Sequence, residues 1–291
     1  MGTILTIIGA VLGAAVTAYF AGQDSVLVLG FPAVYWCAVI AMVIQWIAYV
    51  PAVIWKTEHF YDLVGALTYI VVVVFACLVG ISEDGPSTRA LILTGLVCFW
   101  ALRLGVFLGV RVHKVGKDGR FDELKLNPLR FAMAWTVQGL WVFLTLLSVI
   151  VILTSKKMAA PLDALAYVGF GLWAVGLGIE WIADVQKSRF KADPSNDGRW
   201  IESGLWRYAQ HPNYFGEILL WTGLFISGIS AYSGGEWLAV LSPIFVFCLL
   251  TQGSGIPLLR ERGDARWGHD PAYQAYRAQT NVLIPGPRNT P

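Results

Sequence analysis

Four charged residues, Glu180, Asp184, Lys187 and Lys191, recur at steps of four, three and four just where a long apolar run gives way to polar sequence. On a helix that spacing puts them on one stripe. The two acids sit at or inside the end of the apolar segment, and charged groups at membrane depth are costly and usually serve a site. A turn of composition Asp193-Pro194-Ser195-Asn196-Asp197-Gly198 follows, then Arg199, Arg207, Tyr208, His211 and Asn213 before the next apolar run. Asn213 and Glu217 lie four apart at the start of that run, where free backbone N–H groups favour an anion. Acids to accept hydroxyl hydrogens, beside cations to hold phosphate, are the chemistry of a nucleotide site. The competing reading of Arg199 or Arg207 alone is a basic loop lying against anionic headgroups.

The tail supplies a second cluster. Arg260 and Asp264 are at helical spacing, Arg262 lies between them, and Tyr273 and Tyr276 are three apart. Aromatic rings beside cations suit stacking on a planar base, although an amphipathic helix on a membrane surface has the same composition. In the first half, Glu58 and Asp62 lie one turn apart at the head of an apolar run, where acids also favour a helix N-terminus. Arg103 sits deep in another apolar run, with Phe107, Arg111 and Lys114 along the same face. A buried Arg needs a carboxylate or a phosphate, and Glu180 and Asp184 are candidate partners.

These residues are carried by a membrane protein. The 291-residue chain is 56% hydrophobic and only 14% charged, where soluble domains are about a quarter charged. Apolar runs at 3–22, 31–55, 61–81, 89–110, 131–154, 162–185, 214–231 and 236–258 predict eight spans, or seven if 214–231 does not cross. The first run lacks a basic start and a cleavage site and is read as a membrane helix. The expected fold is an all-α polytopic bundle, one membrane domain with residues 1–130 on the substrate side and 160–291 as the cofactor-binding half. Lys and Arg crowd 111–130, 187–207 and the tail from Arg260. The positive-inside rule makes those segments cytoplasmic, against Lys156 and Lys157, which are outvoted. The four cysteines fall in apolar runs with no metal-ligand spacing, so neither disulfide nor zinc is expected. Gly169-Phe170-Gly171-Leu172-Trp173-Ala174 fits the loose G-x-G-x-x-A string but follows no strand, and is read as close helix packing. Nothing points to nucleic acid or to an obligate protein partner.

Several of these motifs, in this order, resemble the integral-membrane steroid 5-alpha-reductase and sterol reductase superfamily. Gln186-Lys187-Ser188-Arg189-Phe190-Lys191-Ala192-Asp193-Pro194 is similar to the Q-K-x-x-F-R-x-N-P of sterol reductases, and His211-Pro212-Asn213-Tyr214-Phe215-Gly216-Glu217 to their H-P-N-Y-x-G-D/E. Arg262-Gly263-Asp264, Trp267-Gly268, Tyr273 and Tyr276 resemble the tail motif, and Gly176-Leu177-Gly178-Ile179-Glu180 with Asp184 resembles G-x-G-I-N-x-x-x-D, with Glu180 in place of Asn. The resemblance covers roughly the last 120 residues. It implies NADPH as cofactor and the reduction of a carbon–carbon double bond conjugated to a carbonyl in a lipid such as a 3-oxo-Δ4 steroid. Lys187, Lys191 and Arg199 would take its phosphates. Asp184, Asn213 and Glu217 would take ribose or carboxamide, and Arg262, Asp264, Tyr273 and Tyr276 would close over it. Glu58, if burial raises its pKa, would polarise the substrate carbonyl. The family's second carbonyl ligand, a Tyr, corresponds to Trp100, so Tyr61 or another hydroxyl is expected instead. A methyltransferase of the isoprenylcysteine type, using S-adenosylmethionine, shares a related H-P-x-Y turn and is the alternative. A non-enzymatic lipid-binding protein is a third.

Overall fold

The structure is a computed structural model and describes residues 2–81, 85–116, 118–157 and 161–288. The side chain of Lys114 lies outside what is described. Among the described residues the helices are α1 (Gly2–Ala21), α2 (Ala33–Trp55), α3 (Tyr61–Val79), α4 (Thr88–Val115), α5 (Pro128–Thr154), α6 (Ala164–Ala192), α7 (Pro212–Ile226), α8 (Leu241–Thr251), α9 (Ile256–Trp267) and α10 (Pro271–Gln279). A two-residue hairpin, β1 (Leu27–Val28) with β2 (Phe31–Pro32), joins α1 to α2. The all-α polytopic expectation holds.

Local chemistry sets the boundaries. Asn127 accepts from the Arg130 amide and is followed by Pro128, the pairing that opens α5. Asp270 and Pro271 open α10 in the same way, and Ser87 caps α4. Gly116, at φ 82°, closes α4 in the left-handed region that favours glycine.

Among the described residues, seven segments are long and apolar enough to cross a membrane: Gly2–Ala21, Ala33–Trp55, Tyr61–Val79, Thr88–His113, Pro128–Thr154, Ala164–Ala192 and Gly234–Trp267. The protein is therefore a multi-pass membrane protein. Of the two predicted counts the lower one applies. The run predicted at 214–231 folds as α7, whose 15 residues reach only roughly 22 Å, short of a bilayer core of about 30 Å.

The chain divides into two compact units, residues 1–164 with 228–242, and residues 165–227 with 243–291. In the first, α5 is the central post, packed against α1, α2 and α3. Phe143, Leu146, Leu147 and Ile150 are fully buried, as befits a helix apolar on all sides. α1 turns Ala10, Ala14 and Ala18 inward and Leu5, Leu12 and Val16 outward, so small residues face the protein and large ones face lipid.

In the second unit, α6 and α7 pack through glycines seven residues apart on each helix. Gly176 faces Gly216, where an added Cβ would stand 2.6 Å from the opposite carbonyl oxygen, and Gly169 faces Gly223 in the same manner. The G-x-G string is thus a packing feature at Gly169, while Gly171 faces open space.

Candidate functional site: a cationic, aromatic-walled cleft

The second unit carries an open cleft of about 660 Å³. Its wall begins on the last turns of α6 with Lys187 and Lys191. The chain then turns through Asp193, whose carboxylate accepts from both the amide and the hydroxyl of Ser195. Gly204, at φ 61°, lets the segment fold back against Gln186, which accepts from the Leu205 amide at 2.9 Å. Trp206 is pinned by its indole N–H to the Ala183 carbonyl, and the Lys187 ammonium sits 4.7 Å from the Trp206 ring centre.

The opposite wall comes from α9 and α10. Arg260, Gly263 and Trp267 recur at i, i+3 and i+7 and all line the cleft. Tyr273 packs edge-on to Trp200 at 5.2 Å and against Trp267 at 5.6 Å. Gly263 lies directly beneath the Tyr273 hydroxyl, so any Cβ there would collide with it. Asp264 pairs with Arg277, whose guanidinium rests 5.6 Å from the Tyr273 ring centre.

The segment after α10 ties this wall to the loop before α7. Gln210 donates to the carbonyls of Arg277 and Thr280, and its own amide donates to Asn281. The Tyr276 hydroxyl donates to the Trp206 carbonyl at 2.9 Å, and the Gly286 amide to that of Tyr208.

Seven cations line the cleft (Lys187, Lys191, Arg199, Arg260, Arg262, Arg266 and Arg277) against two acids, Asp193 and Asp197. Such an excess focuses a field that attracts polyanions. His211 shares the wall; burial first, then the charges of Lys187, Arg260 and Arg277, push its pKa down to about 3, so the imidazole is neutral at physiological pH. The rings of Trp200, Trp206, Trp267, Tyr273 and Tyr276 give planar apolar faces. Donor set, volume and aromatic lining together fit a phosphorylated nucleotide.

Seven of the sequence-predicted residues meet in this cleft: Lys187, Lys191, Arg199, His211, Arg262, Tyr273 and Tyr276. Others stand off its walls in the same unit. Glu180 and Asp184 are buried, and Asp184 accepts from the Asn213 amide group at 3.4 Å. Tyr214 stacks on His211 at 5.6 Å. Glu217 is half-buried on α7, Asp264 serves Arg277, and Tyr208 is exposed, holding Gly286 through its carbonyl. Sequence reasoning missed Trp200, Trp206, Arg266 and Arg277. The i, i+3, i+7 recurrence through Arg260 was the legible signal for the α9 face.

The remaining candidates lie in the first unit. Arg103 is half-buried within α4, and Arg111 is within 3.4 Å of Asp62 and 3.7 Å of Asp118. The call on Lys114 falls on a side chain outside the described residues. Glu58 is buried, with Lys125 Nζ 2.8 Å from one carboxylate oxygen and the Asp118 amide 3.0 Å from the other. Burial alone would raise its pKa, but the hydrogen bonds from Lys125 and from the Asp118 amide outweigh it and hold the carboxyl below its usual range. The condition attached to Glu58, a pKa raised by burial, is therefore not met while Lys125 is in place. Tyr61 donates its hydroxyl to the Ala134 carbonyl at 3.0 Å and packs its ring on Phe121 at 4.6 Å and on Trp135. Trp100 is buried edge-on against Tyr69, 5.0 Å between centres.

Comparison with known proteins gives two findings. A family described as "Protein of unknown function (DUF1295)" matches residues 48–280. A stretch of 67 residues is 36% identical to a probable O-methyltransferase, ustE, of Ustilaginoidea virens, covering 23% of this chain and 22% of that protein. No solved structure matches.

Proposed function

The chain belongs to the DUF1295 family, and on that premise we propose that it is a membrane reductase that uses NADPH to saturate a carbon–carbon double bond conjugated to a carbonyl in a lipid such as a 3-oxo-Δ4 steroid. The observation that carries the reading is the cleft in the second unit, with seven cations against two acids on aromatic walls. NADPH brings a pyrophosphate and a 2′-phosphate, and binding those groups needs several fixed cations. Lys187, Lys191, Arg199 and Arg262 would hold them. Tyr273 and Tyr276 would flank the rings, and Asp184, Asn213 and Glu217 would fix ribose or carboxamide as the resemblance implies. Bound there, the cofactor would supply hydride to the β-carbon of the lipid's conjugated double bond, and a solvent-derived proton would complete the reduction at the α-carbon. The protein's share is orientation and electrostatics. Glu58 and Tyr61 are assigned to the substrate carbonyl, and the basic segments, with the cleft among them, to the cytoplasmic side.

The stretch shared with a probable O-methyltransferase favours a second reading, transfer of a methyl group from S-adenosylmethionine. That ligand carries no phosphate and a sulfonium cation, and the charge of the cleft opposes it.

Binding to the detergent-purified protein separates the two. Saturable NADPH binding is expected, weakened about tenfold or more in Lys187→Ala, as loss of a charge-assisted hydrogen bond predicts, and weakened also in Glu217→Ala. Binding of S-adenosylmethionine without NADPH would overturn the reductase reading.

A further inference from the structure

The two residues assigned to the substrate carbonyl are both covered by one segment, residues 118–127, which joins α4 to α5. Phe121 of this segment is buried, its ring 4.6 Å from that of Tyr61 and 6.1 Å from that of Phe131. Lys125 reaches Glu58 at 2.8 Å, and the amide of Asp118 closes the other carboxylate oxygen. Arg120 holds Asp118 at 2.6 Å and Asp62, on the first turn of α3, at 3.4 Å. Phe121 and Leu124 pack on the apolar cluster that holds Phe131 and Trp135, and ion pairs from Lys125, Asp118 and Arg120 fasten the segment beside them.

We propose that residues 118–127 are a lid over Glu58 and Tyr61, latched by Lys125 on Glu58, and that substrate engagement displaces Lys125. The proposal rests on the reductase reading for the role of Glu58, and the latch itself is read from the contacts. The Glu58 carboxylate is almost wholly covered, so parting the pair unaided would leave an uncompensated buried charge, and the latch stays shut until substrate takes the place of Lys125. Gly116, left-handed at φ 82°, and Gly119 provide backbone freedom at one end, and Asn127 with Pro128 fixes the other. Opening changes the chemistry beneath. The charged groups around Glu58 are Lys125 and, through Lys125 and Asp118, the set Asp122, Arg120, Arg111 and Asp62. Remove Lys125 and a buried carboxyl loses its counter-charge, which favours the protonated form able to donate to a carbonyl oxygen.

A hydrophobic carbodiimide, which modifies protonated carboxyls in apolar surroundings, tests this on the full chain in detergent, with mass spectrometry reading Glu58. Glu58 is expected to label slowly in the wild type, at least tenfold faster in Lys125→Met, and at the wild-type rate in Lys125→Arg. Amide exchange over residues 118–127 is expected to be protected in the wild type and to rise at least tenfold in Lys125→Met. Equal labelling of wild type and Lys125→Met, or unprotected exchange over 118–127 in the wild type, would overturn the lid. Both readouts omit cofactor and substrate, so a failure of NADPH binding would count against the reductase reading alone.

Discussion

His211 keeps a neutral imidazole among cations, and this has a measurable consequence. Its folded pKa, about 3, lies below its ordinary 6.5, so between those values the unfolded chain binds more protons than the folded one. The stability it contributes is present above pH 6.5 and lost as pH falls toward 3. Glu58, also depressed, adds a loss below its ordinary range. The melting temperature in detergent should therefore fall on acidification, and His211→Gln should flatten the upper part of that fall. An unchanged profile in the variant would refute the assignment. The same contrast shows what one sequence hides. Lys187, Lys191 and His211 were legible because they cluster along the chain, whereas the partner of Glu58 stands 67 residues away. A buried acid reads as a proton donor until its cation is found.

At the scale of elements, the contact of α6 with α7 depends on the absence of side chains at particular positions. Gly176→Ala should destabilise by about 1–3 kcal/mol, the usual cost of overpacking, and lower NADPH affinity, because α6 carries Lys187 and Lys191. Gly178→Ala, two residues on, meets nothing within 4 Å and should be neutral or stabilising by up to about 1 kcal/mol through helix propensity. Thermal melts of the two variants check this, and equal losses would disprove the packing account. Helix existence was legible from apolar run length, and G-x-G was legible as packing once no strand preceded it. The crossing of 214–231 was not, because composition does not reveal that the helix stops after 15 residues. Trp200 and Trp206 were equally hidden, since aromatic residues in a membrane protein first suggest the interface.

For the whole molecule, a net charge of +2 conceals the concentration of cations in one cleft. If NADPH is held by that field, its affinity should drop at least about tenfold between about 0.05 and 0.5 M salt, as screening shortens the Debye length. Titration at both salts measures it, and a flat response would mean the cations are not the contacts. The sequence reads as one membrane domain, with 1–130 on the substrate side and 160–291 as the cofactor-binding half; the return of 228–242 to the first compact unit is a tertiary event that no local pattern announces.

The ties from Gln210 to Thr280 and Asn281, and from Tyr208 to Gly286, also impose an order on biosynthesis. All seven membrane segments are translated before α10 and the strap that follows it. A nascent chain halted ahead of Pro271 would be threaded through the bilayer yet lack Tyr273, Tyr276 and Arg277, so on the proposed function insertion should precede cofactor capture, and early termination should leave a protein lodged in the membrane without the α10 part of the second wall of its cleft.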